Sequence, residues 1–167
     1  MMADYFRTLA RYNAWANRRL YDACARLSEA DYRKARPVYF GSIHGTLNHL
    51  LVGDRLWMGR FEAAPSGVSA LEQILYDDAT SLRAAREVED SRIIAYAERL
   101  TDEALAGTLR FRTMAPPPTD MATPLSLALG HLFNHQTHHR GHAHGLLSQT
   151  EVPPPSLDLI FYLRDLG

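Results

Sequence analysis

Apolar residues recur along most of the chain at steps of three and four residues, and stretches rich in proline or glycine separate these periodic blocks. This spacing collects apolar side chains on one face of a helix, whereas a half-buried strand needs them at every second position. Four of the blocks are long: about Ala3 to Leu27, Ile43 to about Glu62, a start between Ser69 and Asp78 to about Leu100, and Pro124 to about Gln149. Four long amphipathic helices predict an all-α fold, a four-helix bundle.

Residues that precede the blocks predict where helices begin. Ser28 to Asp31 resembles a capping box that opens a short helical turn. Ser42 is the expected N-cap of the second long helix. Thr123 is the expected N-cap of the fourth, with Pro124 at its first helical position.

Two shorter segments lie outside the four blocks. Within residues 105–121 the helical pattern breaks, because Leu109 to Thr113 alternates like a strand and Pro116 to Pro118 forbids a helix. We expect a small hairpin or loop there, over one end of the bundle. Further along, Ser156 to Asp158 predicts the start of a short C-terminal helix that ends near Leu166.

The length and charge of the chain limit the number of domains and the kinds of partner that we expect. The chain has 167 residues, 46% hydrophobic and 22% charged, so we expect a single helical-bundle domain over residues 1–167. Its formal net charge of −1 offers no field for nucleic acid, and no nucleic-acid partner is expected. Charged side chains interrupt Met1 to Leu20, so we expect neither a signal peptide nor a membrane partner. Because Cys24 is the only cysteine, no intrachain disulfide can form, and we expect a cytoplasmic location.

The fourth block is dense in histidine. Six of the eight histidines lie there: His131, His135, His138, His139, His142 and His144. At about 100° per residue, His139 falls within the apolar stripe of this helix, His135 lies at its shoulder, and His138 is nearly opposite. Because His135 and His139 are four residues apart, their Cβ atoms are roughly 6 Å apart on one face, and both imidazoles can reach one cation.

The alternative for these histidines is an ordinary solvated helix face. We assign that role to His131, His138 and His144, which lie off the stripe. For His135 and His139 we favour a metal site, since two neutral imidazoles at a core face need partners.

Two features narrow the kind of metal site. The spacing resembles the H-E-x-x-H motif of zinc proteases, but Gln136 stands where that chemistry needs a carboxylate base, so a metalloprotease is disfavoured. A catalytic zinc usually has three protein ligands, and the third would be His44 or His49 on the second block, or a carboxylate such as Asp54. The helical pattern favours His44 and His49 almost equally as the third ligand.

Several motifs resemble the DinB family of damage-inducible proteins, the small helical family related to YfiT and distinct from the similarly named DNA polymerase. They are Tyr12 to Asn17, Ser42 to Leu50 with Asp54 to Trp57, Asn134 to Gly141, and the tail from Pro153 to Arg164. The resemblance implies a three-histidine site for a divalent metal, zinc or nickel, and its ligand positions map onto His49, His135 and His139. The family often has Gln at the position of His142, which leaves open a fourth ligand, an alternative ligand or a residue that orients one.

The resemblance also implies an assembly, a homodimer. Block one is consistent with it, because Phe6, Trp15 and Tyr21 are more large apolar residues than one core face is expected to use. Arg140 is interpreted either as a residue that orients an anionic substrate or as an exposed helix arginine paired with a carboxylate.

For function, the resemblance implies a metal-dependent enzyme of the thiol S-transferase or isomerase type. Its partners would be a low-molecular-weight thiol and a small electrophilic substrate, with the metal as Lewis acid and no protein group identified as a general base. The alternative is a non-catalytic metal-binding or stress-response protein. A third interpretation is a structural bundle whose histidines have no metal.

Overall fold

The computed structural model describes residues 1–114 and 116–166. Its elements, in chain order, are α1 (Met2–Cys24), α2 (Glu29–Arg33), α3 (Ile43–Phe61), α4 (Ala79–Glu98), α5 (Asp102–Leu105), β1 (Thr108–Arg112), β2 (Asp120–Pro124), α6 (Leu125–Leu147) and α7 (Leu159–Leu166). The predicted all-α bundle is confirmed: α1 packs against α4 and α6, and α3 packs against the same two helices. No helix of the described part is both long enough and apolar enough to cross a membrane.

Local signals predicted two helix starts correctly and one wrongly. The side chains of Ser28 and Ser42 accept hydrogen bonds from backbone N–H groups of the first turns of α2 and α3. Thr123, by contrast, is not the N-cap of α6, because it pairs with Leu109 in an antiparallel ladder between β1 and β2. The helix therefore begins one residue late, at Leu125, after Pro124 and without a side-chain cap.

The segment 105–121 forms most of the expected hairpin, which continues to Pro124; its residue Ala115 lies outside the described residues. Sequence patterns missed α5, a single helical turn whose N-cap is Thr101, the side chain of which accepts a hydrogen bond from the backbone N–H of Ala104. They also placed the start of α4 only within a range, Ser69 to Asp78. Asp78, the last residue of that range, is the N-cap of α4.

Two apolar clusters fill the bundle, one on each side of a buried polar layer. The first cluster includes Leu20, Leu47, Leu51, Leu82 and Leu147. The second includes Phe6, Met58, Ile93, Leu129 and Leu132. The residues of this layer lie between the two apolar groups along each long helix, so the layer crosses the middle of the bundle: Asn13 and Asn17 on α1, Asp54 on α3, Arg86 and Asp90 on α4, and Gln136 and Arg140 on α6.

An ion-pair triad forms the centre of this layer. Arg86 on α4 is 2% exposed, with Nη1 2.7 Å from Oδ2 of Asp54 on α3 and Nη2 3.0 Å from Oδ1 of Asp90. The side-chain amide of Gln136 on α6 donates a hydrogen bond to Asp54. Burial raises the pKa of the Asp54 carboxyl to about 6, while Arg86 and Gln136 oppose that shift, so the pair is ionised at neutral pH.

Arg140 completes the layer, and this corrects its interpretation as an exposed helix arginine. It is 2% exposed, and Nη1 donates to Oδ1 of Asn13 at 2.6 Å and of Asn17 at 3.2 Å. Both asparagines in turn donate to Asp90. Arg140 is therefore an internal link between α6 and α1 and not an exposed surface residue.

Candidate metal centre

Three imidazoles converge beside the polar layer, where α3 packs against α6. His49 comes from α3, and His135 and His139 come from adjacent turns of α6. One potential ligand atom from each residue lies within 4.8 Å of the other two. The structure thus brings together the three residues that the sequence singled out, and this cluster (His49, His135 and His139) is called the inner cluster below.

One pair of nitrogen atoms in the inner cluster has a spacing that suits a shared ion. The Nε2 atoms of His49 and His135 are 3.2 Å apart. Two nitrogen ligands that each lie about 2.1 Å from a tetrahedral ion are about 3.4 Å apart. Little movement of the two rings is needed to bind one cation.

A backbone group sets the orientation of His49. Its Nδ1 lies 2.9 Å from the carbonyl oxygen of Leu71, in the connection between α3 and α4. A carbonyl can only accept, so Nδ1 of the neutral ring carries the proton and Nε2 presents its lone pair to His135. Outer partners of this kind fix the tautomer of histidines that bind metals. Nothing in the sequence around Leu71 indicates this contact.

The protein environment keeps the inner cluster uncharged. Burial, followed by the neighbouring imidazoles, lowers the pKa of His135 to about 3 and that of His139 to about 4. Burial also lowers the pKa of His49. All three rings are therefore neutral at pH 7, the form in which histidine binds a metal. Within the described part of the chain, Nδ1 of His135 and of His139 is buried without a hydrogen-bond partner.

Two residues that the sequence analysis did not select shape the inner cluster. The Phe40 ring stacks on His49, with 3.7 Å between ring centroids, and meets His139 edge-on. At Gly53, in the middle of α3, an added Cβ would lie 2.6 Å from Cε1 of His135. A glycine inside a helical pattern can signal such a close approach; Phe40 carries no comparable signal.

The remaining candidates on α3 have other partners. Nδ1 of His44 lies 3.3 Å from the hydroxyl oxygen of Tyr32, and its Nε2 lies 3.3 Å from Nδ2 of Asn48. Asp54 is paired with Arg86. The near tie between His44 and His49 is thus resolved by position, since only His49 faces α6 at the level of His135.

The other histidines of α6 have different surroundings. His131 packs against the Trp57 ring, and Nε2 of His144 lies 3.0 Å from the carbonyl oxygen of Pro155. His138 is exposed, as the helical wheel predicted, yet its ring centroid is only 4.7 Å from that of His139.

The chemistry of the inner cluster fits a divalent ion. Three neutral nitrogen donors converge, and a tetrahedral ion would keep one position for a water or substrate. His49 is buried, whereas His135 and His139 are half-buried, so the cluster can be approached from the side of α6. These histidines could therefore hold a metal ion that remains accessible.

Two comparisons with known proteins match nearly the whole chain. A model of the DinB family matches residues 1–165. Protein DinB of Bacillus subtilis (strain 168) is 28% identical over 169 residues, which span 97% of this chain and 95% of that protein. The match includes all three histidines of the inner cluster.

Proposed function

The chain belongs to the DinB family, and we propose that it is a metal-dependent enzyme whose single inner ion, zinc or nickel, is bound by His49, His135 and His139. The convergence of these three neutral imidazoles is the observation that carries the proposal. Imidazole nitrogen suits both zinc and nickel. A divalent ion there would act as a Lewis acid and lower the pKa of a bound thiol or water.

The chain's own residues position the ligands and limit the chemistry. Leu71 orients His49, and Gly53 leaves room for the ring of His135. Gln136, the neighbour of His135 in sequence, has an amide that cannot take up a proton and that donates to Asp54. Gln136 therefore cannot act as a general base beside the inner cluster, and the proposed reaction is one that needs an activated nucleophile and no carboxylate base.

Thiol transfer is such a reaction. We expect a low-molecular-weight thiol to lose its proton to solvent, after which its sulfur forms a bond to an electrophilic carbon of a small substrate. Either the bond from that carbon to a leaving group breaks and the leaving group departs with the electron pair, or the π bond of an activated alkene opens and its electron pair takes up a proton from solvent. Isomerisation of a substrate through reversible addition of the thiol uses the same first step. The protein would act in the cytoplasm, as the sequence analysis expects.

Replacing the metal by cobalt tests this function directly. Adding glutathione, bacillithiol or mycothiol to the cobalt protein should produce a sulfur-to-metal charge-transfer band, since thiolate is a better ligand than water. The zinc or nickel protein should also accelerate conjugation of that thiol to an electrophile, and His135→Ala should abolish the acceleration. His144→Ala, outside the inner cluster, should change neither readout.

Two results would reject the proposed thiol-dependent enzyme. A charge-transfer band without turnover would favour the alternative, a non-catalytic metal-binding or stress-response protein. Absence of the band with every thiol would remove the transferase and leave activation of water, or no catalysis.

The three aromatic residues of α1 that supported a homodimer in the sequence are used within one chain. Phe6 and Tyr21 are buried in the core, and Trp15 packs against Tyr12 and Tyr162 of the same chain. Phe6, Trp15 and Tyr21 are therefore used within the chain and do not indicate a partner. The homodimer is retained in the proposal from family resemblance alone, and light scattering at micromolar concentration should give twice the chain mass of 18.8 kDa. A mass of one chain would contradict it.

A further inference from the structure

A second group of imidazoles lies on the solvent side of the inner cluster. It consists of His138, His139 and His142, whose potential ligand atoms are also within 4.8 Å of one another. The ring centroids of His138 and His142 are 4.4 Å apart, and those of His139 and His142 are 5.2 Å apart. All three residues come from two successive turns of α6, so the group does not depend on contacts with another helix.

Two imidazoles of this group, those of His138 and His142, are available to bind a ligand. His138 is exposed, and Nδ1 of His142 is buried without a hydrogen-bond partner in the described part of the chain. Two histidines at i and i+4 on a helix present their rings on one face, the geometry that lets both reach one ion. His144, on the next turn, instead faces a backbone carbonyl oxygen.

We propose that His138 and His142, together with His139, form an outer divalent-metal site that shares His139 with the inner one. The shared residue connects the two sites. An ion held by the outer group can remain on His139 while His49 and His135 replace His138 and His142 as ligands. The outer site is therefore an entry point through which the inner site is loaded, and it is separate from the thiol chemistry proposed above.

The outer site should bind more weakly than the inner one. His138 is solvent-exposed, and holding its free side chain in one rotamer costs conformational entropy. Once the inner ion occupies His139, an outer ion is left with His138, His142 and water. Zinc titration of the metal-free protein should therefore show two binding events, a tight one and a weaker one, with about one ion each.

Single substitutions separate the two events in calorimetric titrations with zinc alone. His138→Gln and His142→Gln should each remove the weaker event and leave the tight one unchanged, and glutamine is a good helix former, so both variants should fold. His49→Ala should remove the tight event and leave one event at the outer site. His131→Gln, exposed like His138 but outside both groups, should keep both events.

The rate of metal loading tests the role as an entry point. Mixed with a limiting amount of Co²⁺, the wild-type protein should develop the inner-site visible absorption faster than His138→Gln or His142→Gln, with the same final spectrum. Equal loading rates would overturn the entry role. A single event in the wild type, or a second event that survives both substitutions together, would overturn the outer site. Weakening of the tight event by His142→Gln would instead make His142 a ligand of the inner ion.

The zinc titrations distinguish a protein without the inner site from one without the outer site. If the inner cluster binds no metal, His49→Ala will leave the titration unchanged while the outer event persists. If the outer group binds no metal, only the tight event will appear, and of the variants at His49, His131, His138 and His142 only His49→Ala will remove it.

Discussion

Arg86→Met is expected to lower the free energy of unfolding by about 3–5 kcal/mol, because it leaves the carboxylates of Asp54 and Asp90 buried without their shared cation. Methionine can fill much of the apolar volume but supplies no charge. Urea denaturation at pH 7.5 should show the loss as a lower midpoint with an unchanged m-value.

The loss should depend on pH in a defined direction. Burial already raises the pKa of Asp54 to about 6, and removal of Arg86 raises it further, well above the value in the unfolded chain. A group whose pKa is raised by folding destabilises the folded state as pH rises through that pKa. The difference in stability between the variant and the wild type should therefore be larger at pH 8 than at pH 5.

Arg83→Met is the matched control, since Arg83 lies one turn earlier on α4 and also makes two ion pairs. Its guanidinium contacts Asp22 at 2.7 Å and Glu87 at 3.0 Å, but both carboxylates are more than half exposed. Exposed pairs contribute about 0–1 kcal/mol, so this variant should lose little. Equal losses from Arg83→Met and Arg86→Met would show that the buried triad has no special role.

The second large effect concerns the inner metal. His135→Ala is expected to weaken zinc binding by more than about 100-fold, because it removes a direct ligand and even the loss of an outer partner costs about 10- to 100-fold. Competition against a chromophoric chelator at pH 7.5 measures the affinity. The stabilisation of the wild type by zinc in thermal unfolding should fall with it, to what the weaker outer site supplies. His131→Ala, one turn earlier and packed on Trp57, should bind zinc as the wild type does; an equal loss there would contradict the assignment.

A subtler variant of the same experiment leaves every ligand in place. Gly53→Ala should fold, since alanine is better than glycine inside a helix by about 1 kcal/mol. Its Cβ would lie 2.6 Å from Cε1 of His135, so the ring must leave its present position in the inner cluster and zinc binding should weaken about tenfold. Gly130→Ala on α6 places its Cβ where no atom lies within 4 Å, and it should leave the affinity unchanged. Unaltered zinc binding by Gly53→Ala would mean that Gly53 does not position the ring.

Features that depend on neighbours in sequence were predictable. The long helices follow from apolar spacing, and the caps at Ser28 and Ser42 follow from side chains that reach N–H groups three residues on. The same local geometry places His135 and His139 on one face of α6, because a helix determines the relative direction of residues four apart. Family resemblance then indicated His49 as their companion, which spacing alone did not.

The remaining features depend on how separate elements meet. Thr123 has the chemistry of a helix cap, yet its pairing with Leu109 in the hairpin places it in a strand. Arg140 looks like a surface residue in its own helix, yet Asn13 and Asn17 of α1 accept its hydrogen bonds inside the bundle. The sequence by itself therefore determined the long helices and the face that carries the α6 histidines. Only the tertiary structure decided that His49 meets them and that Leu71 and Gly53 position the rings, because contacts between distant segments depend on the rotation and depth at which whole helices pack.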